Sequence, residues 1–337
     1  VFGGLTIGDG STTFTTTFGG TSPSTTVDGV FRIRDNTTFV AGSGTVNLKG
    51  VTGASFLKTG TFTPNTSTFI YHGVDAISVA TTTFYNLSLT PTGTATYVLA
   101  SGTYSIDNDL TIGNGTIAAT LNADTNDPTI DVNRDLVISA NSFFTASSAG
   151  TLTVARNWSK SGTFTHSSGT VIFDTTTTSV ITGATTFNHF TSTTAGKTLQ
   201  FGNGTIFTFA GTFTITGTGS GSNRVTVNSN SAGNQWTAQF NSAQSAVTYA
   251  DIKDCGCNGG TANVTLDSTS KNSGNNGSCW VFPVVSTGAT GATGTGSGGG
   301  TPQGGGGTGA GGGTGGGSGG GIPQGGGGTG GGGGSTP

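Results

Sequence analysis

One stretch of this sequence occurs twice, and what recurs is a pattern of strands. Lys160 to Phe190 reads KSGTFTHSSGTVIFDTTTTSVITGATTFNHF; Lys58 to Leu87, about 102 residues earlier, reads KTGTFTPNTSTFIYHGVDAISVATTTFYNL. Gly60-Thr61-Phe62-Thr63 falls on Gly162-Thr163-Phe164-Thr165, and Thr82-Thr83-Phe84 falls on Thr185-Thr186-Phe187. Outside this core, Leu5-Thr6-Ile7-Gly8-Asp9-Gly10 is echoed by Leu110-Thr111-Ile112-Gly113-Asn114-Gly115. Duplication of a unit dense in β-branched and aromatic residues points to a repetitive β architecture.

The intervening sequence keeps the pattern. Short apolar segments such as Phe69-Ile70-Tyr71, Tyr97-Val98-Leu99, Leu152-Thr153-Val154 and Val225-Thr226-Val227 are separated by Gly, Asn or Ser. In Phe31-Arg32-Ile33-Arg34 the period is two, with both apolar side chains on one face and both arginines on the other. Glu and Met, two good helix formers, are absent, so almost no helix is expected. Closely spaced strands without helices leave a parallel β-solenoid or tandem β-sandwiches. The repeated Gly-Thr-Phe-Thr at 60–63, 162–165 and 211–214 favours the solenoid. Stacked coils would line Phe62, Phe164 and Phe213 along an interior and turn threonine outward. The expected organisation is a solenoid over 1–285 with an internal repeat of about 102–105 residues, then a Gly-rich tail over 286–337.

Only 7% of residues are charged and the net charge is −3, which gives no basic patch for nucleic acid. No apolar run approaches the roughly 20 residues that span a bilayer. The start at Val1 is expected to be a processed terminus or an artificial one. A surface of Thr, Ser, Asn and Gly suits a secreted or glycosylated protein. Asn-X-Ser/Thr triplets begin at Asn36, Asn65, Asn86, Asn114, Asn157, Asn203, Asn263 and Asn276, which makes these candidate glycosylation sites.

The runs NWSKSGTFTHSSGTVIFD (Asn157 to Asp174), TTFNHFTSTTAGKTL (Thr185 to Leu199) and VTYADIKDCGCNGG (Val247 to Gly260) resemble the repeat regions of large bacterial surface proteins. Those are right-handed parallel β-helices related to filamentous-haemagglutinin-type adhesins. The resemblance implies a β-helix at an extracellular or cell-surface location, and it carries no catalytic motif.

Trp236, Trp280 and all three cysteines cluster where the stack is expected to end. Cys255, Cys257 and Cys279 are disulfide candidates for one bond, Cys279 lying about one coil beyond the other two. Beyond them the tail repeats Pro-Gln-Gly-Gly-Gly-Gly-Thr-Gly after 21 residues, a multiple of the three residues per turn of polyproline II. Pro302, Thr308, Thr314, Pro323 and Thr329 then share one face, which suggests an extended helix that holds neighbouring subunits.

Asp124, Asp127, Asp131 and Asp135 are candidate Ca²⁺ ligands, with turn-capping as the alternative role. His72, His166 and His189 form no metal or catalytic motif, and no enzymatic function and no other cofactor is expected. The leading expectation is a structural subunit of an extracellular filament or surface layer, a homopolymer assembled through solenoid ends and tail. An adhesin or glycan-binding surface stalk is the alternative. Ice binding is a third reading, and it requires threonine rows in regular register. In the sequence, Thr61/Thr63 and Thr163/Thr165 recur only after about a hundred residues.

Overall fold

A computed structural model describes residues 1–18, 23–50, 52–244 and 247–284. Short strands follow one another throughout, and one 3-10 turn, Gly221–Asn223, is the sole helical segment among the described residues. All strand ladders in this region are parallel, which rules out tandem sandwiches, since those pair their strands antiparallel. The fold is a β-solenoid of about eleven turns.

Each coil lays down up to three strands in a fixed order. The first face is one 12-stranded sheet running from Ser24–Val27 to Lys271–Asn272. The second face is built from successive sheets that hold Leu5–Ile7, then Asp75–Val79 through Thr163–Thr165, then Thr185–Phe187 through Cys255–Cys257. The third starts with Phe14–Thr17, continues as a seven-stranded sheet from Thr83–Phe84 to Phe213–Ile215, and closes with Val264–Thr265 and Trp280–Val281.

Period-two sequence makes period-two burial, and the inward residues fill the stack. Phe31, Phe39, Phe56, Phe62, Phe69 and Phe84 form one aromatic cluster near the start, with ring centroids 5.1 Å apart for Phe62 and Phe69 and 5.4 Å for Phe56 and Phe69. A second begins at Phe144 and Trp158 and runs to Trp280. Between them Tyr97 and Tyr104 sit in a core that is otherwise mostly aliphatic, with Leu110, Ile112, Leu136 and Ile138 all buried. Each fully buried ring contributes roughly 2 kcal/mol of apolar transfer energy.

Phe62, Phe164 and Phe213 all point inward, but they do not form one row. Phe62 stacks under Phe39, Phe164 packs edge-on against Trp158, and Phe213 stacks on Phe190, in three separate sheets. The cause is coil length. Within the paired strands, register partners on successive coils lie from 16 residues apart, Val264 and Trp280, to 31, Ile206 and Thr237. A shift of about 102 residues is not a whole number of coils. It carries Thr61–Thr63 on the third face onto Thr163–Thr165 on the second, and Leu5–Ile7 on the second onto Leu110–Ile112 on the first. What the duplication preserves is local chemistry. Gly8 and Gly113 both leave their strand at positive φ, 94° and 79°. A Cβ there would meet the Thr37 hydroxyl at 2.0 Å or the Ser142 hydroxyl at 1.7 Å on the next coil.

Candidate functional site

The seven-stranded sheet of the third face carries two outward rows of hydroxyl side chains. The register stacks Thr103 on Thr129 and Thr151 on Thr170, and the adjoining pair Ile130–Leu152 brings Thr129 to Thr151. His189 and Thr212 continue this row, with His189 Nδ1 2.8 Å from the Thr212 hydroxyl. Two residues further along each strand, Thr83, Ser105, Asp131 and Thr153 stack in turn, followed by Ile172, Thr191 and Thr214. Between the rows the chain turns Tyr104, Ile130, Leu152, Val171, Phe190 and Phe213 into the core. Every pair of outward residues is therefore anchored by a buried one. Strand geometry sets a net of about 4.8 Å between coils and about 6.7 Å along the strand.

This finding corrects the expectation that threonine recurs only at the long period. The rows stand in register coil after coil. They are invisible in the sequence because a threonine finds its partner 26 residues on at one coil, Thr103 to Thr129, and 19 at another, Thr151 to Thr170. The readable signal was the Thr-X-Thr doublet, as in Thr81/Thr83, Thr151/Thr153 and Thr212/Thr214.

Asp131 interrupts the second row. Its Oδ1 is buried without a hydrogen-bond partner in the protein. Burial, with Asp174 and Asp107 adding repulsion, pushes its carboxyl above the ordinary range.

The first face has a different outward chemistry, a ladder of Asx side chains. Asn86 donates to the Thr68 hydroxyl at 3.1 Å and accepts from the Asp109 amide at 3.3 Å. Asp109 accepts from the Asp135 amide at 3.3 Å, Asp135 from the Asn157 amide at 3.1 Å, and Asn157 from the Val180 amide at 2.9 Å. Arg156 clamps Asp135 with two bonds of 2.9 and 2.7 Å, and that carboxylate holds its guanidinium further above its usual range. Asn86 and Asn157, two candidate glycosylation sites, thus have engaged side chains, as does Asn276, which donates to the Ile252 carbonyl at 2.9 Å. Asn36, Asn65, Asn114, Asn203 and Asn263 are exposed.

The four candidate Ca²⁺ ligands serve separate local roles. Asp127 Oδ1 accepts from the Ser147 hydroxyl at 2.9 Å, the Ser148 amide at 2.7 Å and the Ala149 amide at 3.0 Å, which holds its carboxyl below the usual range. Asp135 is paired with Arg156, Asp131 stands in the hydroxyl row, and Asp124 is exposed beside Asn122, whose side chain accepts its amide at 3.0 Å. Among the described residues no group of three or more His, Cys or Asp converges on a point that could hold a metal. His72 lies 2.9 Å from the Thr90 carbonyl and 3.0 Å from Asn47 Oδ1, while His166 Nδ1 accepts the Ser168 amide at 3.2 Å.

The last coils are tied together by a disulfide between Cys257 and Cys279. Cys255 stays a free thiol inside, where the Trp236 indole donates to its sulfur at 2.8 Å and burial pushes its ionisation far up. Trp280 covers Phe240 and Phe213 at centroid distances of 5.3 and 5.9 Å, the sealing role that end repeats need. The tail positions Pro302, Thr308, Thr314, Pro323 and Thr329 lie outside the described residues.

Large apolar side chains are exposed chiefly at the two ends. Of eight such residues among those described, Val1, Phe2, Phe14 and Val30 belong to the opening coil and its exit turn, and Val281 and Val284 to the last described coil. Leu5–Ile7 and Phe14–Thr17 are each the outermost strand of their sheet. No described helix is long and apolar enough to cross a membrane. Comparison of the chain with protein-family models, curated proteins and solved structures finds no match.

Proposed function

We propose that the chain is a non-enzymatic structural subunit of an extracellular filament or surface layer, in which the first coil of one copy stacks on the last coil of the next. The carrying observation is the distribution of exposed apolar side chains, six of eight among the described residues lying at the two ends of the solenoid. Open strand edges add to it. Phe14 donates inward to the Asn36 carbonyl at 3.3 Å, and strand alternation turns the Thr15 and Thr17 amides toward the open side. A head-to-tail contact between unlike ends does not close on itself and so propagates as a fibre. The Gly-rich tail acts as an added tether in this reading. The disulfide supports an oxidising, extracellular setting.

The test is Thr15→Pro, which removes one outward amide from the edge while leaving the inward ladder intact. Sedimentation velocity at matched concentrations is expected to show long polymers for the parent and short species for the variant. Equal polymerisation of both would overturn end-to-end stacking through this edge.

A further inference from the structure

Threonine is not spread evenly over the solenoid. On the first face the outward row through Asn86, Asp109, Asp135 and Asn157 is built of Asx residues that bond to one another along the stack. Outward positions of the second face mix Thr96, Thr120, Thr145 and Thr163 with Ala76, Val98, Asn122 and an exposed Phe143. On the third face the two rows are threonine or serine at most coils, through strands whose own lengths and loops differ. Thr103, Thr129, Thr151 and Thr170 give the third face an unbroken run over four coils, whereas Val98, Asn122 and Phe143 break the threonine of the second.

We propose that this face binds the surface of ice crystals. Threonine is stiff at χ1, so each residue holds one methyl and one hydroxyl in place on a backbone bonded to coils above and below. The result is a rigid two-dimensional net with spacings on the scale of the oxygen repeats of hexagonal ice. Ion pairs would hold competing hydration shells, and those of the described residues lie elsewhere: Arg134 and Arg156 with Asp109 and Asp135, and Lys271 with Asp251. Asp131, in the middle of the second row, breaks the hydroxyl pattern between Ser105 and Thr153. The rows offer no aromatic ring for a sugar to stack on, since Tyr104, Phe190 and Phe213 of this sheet are fully buried. The inference is independent of end-to-end assembly, because the rows run through interior coils.

Thermal hysteresis and crystal shape, read in a nanolitre osmometer on the full chain, test it. The parent is expected to open a gap between melting and freezing and to facet the growing crystal. Thr153→Lys should lose most of that gap, Asp131→Thr should widen it, and Thr111→Lys, on the first face, should leave it unchanged. Circular dichroism of each variant checks the fold, and Thr191→Ala serves as a milder change should Thr153→Lys unfold. No gap in the parent would overturn the proposal. So would equal loss in Thr111→Lys and Thr153→Lys, or a folded Thr153→Lys and Thr191→Ala that both keep the full gap.

Discussion

Lys197 offers a charge whose cost of burial can be titrated. Its side chain is fully enclosed, with the ammonium donating to the Ala155 carbonyl at 2.9 Å and the Thr177 carbonyl at 2.7 Å, 5.9 Å from the centre of the Phe173 ring. Burial lowers its pKa to about 8, against an opposing pull from Asp174. Below that value the folded and unfolded chains both carry the proton. Between about 8 and the ordinary 10.5 the unfolded chain keeps a proton that the folded one has released, so stability rises with pH. At about 1.4 kcal/mol per pH unit, the gain between pH 7 and 9.5 is about 2 kcal/mol.

Tyr71, Tyr97 and Tyr104 act in the opposite direction, since burial raises all three and the unfolded chain ionises first above pH 10. Lys197→Met keeps those tyrosines, so they cancel in the difference between the two proteins. Urea denaturation followed by circular dichroism at pH 7, 8, 9 and 9.5 should show the parent gaining about 2 kcal/mol on the variant across the series. Parallel curves, with a constant difference at all four pH values, would refute the assignment of a buried, readily deprotonated amine.

Three further outcomes follow from the packing and the ladders. Phe209→Ala empties a position ringed by Phe187, Phe190, Phe213, Phe240 and Trp236, and chemical denaturation should show a loss of about 3–5 kcal/mol. Replacing Cys257 and Cys279 by serine opens a link across 22 residues and should cost about 3 kcal/mol, with amide exchange rising first in the last coil and not around Thr191. Asp135→Asn weakens a partly exposed pair with Arg156 and should cost about 1 kcal/mol at low salt and less at high salt, read as the shift in urea midpoint.

The strand content, the inward phenylalanines and the solenoid itself were legible, because period-two burial and glycine-marked turns act within a single coil. Relations between coils were not, since they depend on loop lengths that vary freely. That is why Phe164 lies in a different sheet from Phe62 and Phe213, and why Thr129 finds Thr103 and Thr151 only once the chain is wound. The aspartates near residue 130 looked like one cluster in sequence, but the turns send Asp127, Asp131 and Asp135 to a hydroxyl cap, an outward row and an arginine. Three cysteines likewise allowed more than one bond. The choice of Cys257 follows from its position at the rim, while Cys255, two residues earlier, is held under Trp236.

The most direct measurement of end-to-end stacking is the axial repeat of the polymer by cryo-electron microscopy of the full chain. Twelve strand layers at about 4.8 Å each give a subunit rise of about 60 Å, with a continuous 4.8 Å layer line along the fibre axis. Fibres with that rise are the expected result. A dispersed monomer, or a fibre whose 4.8 Å spacing runs across the axis, would contradict it.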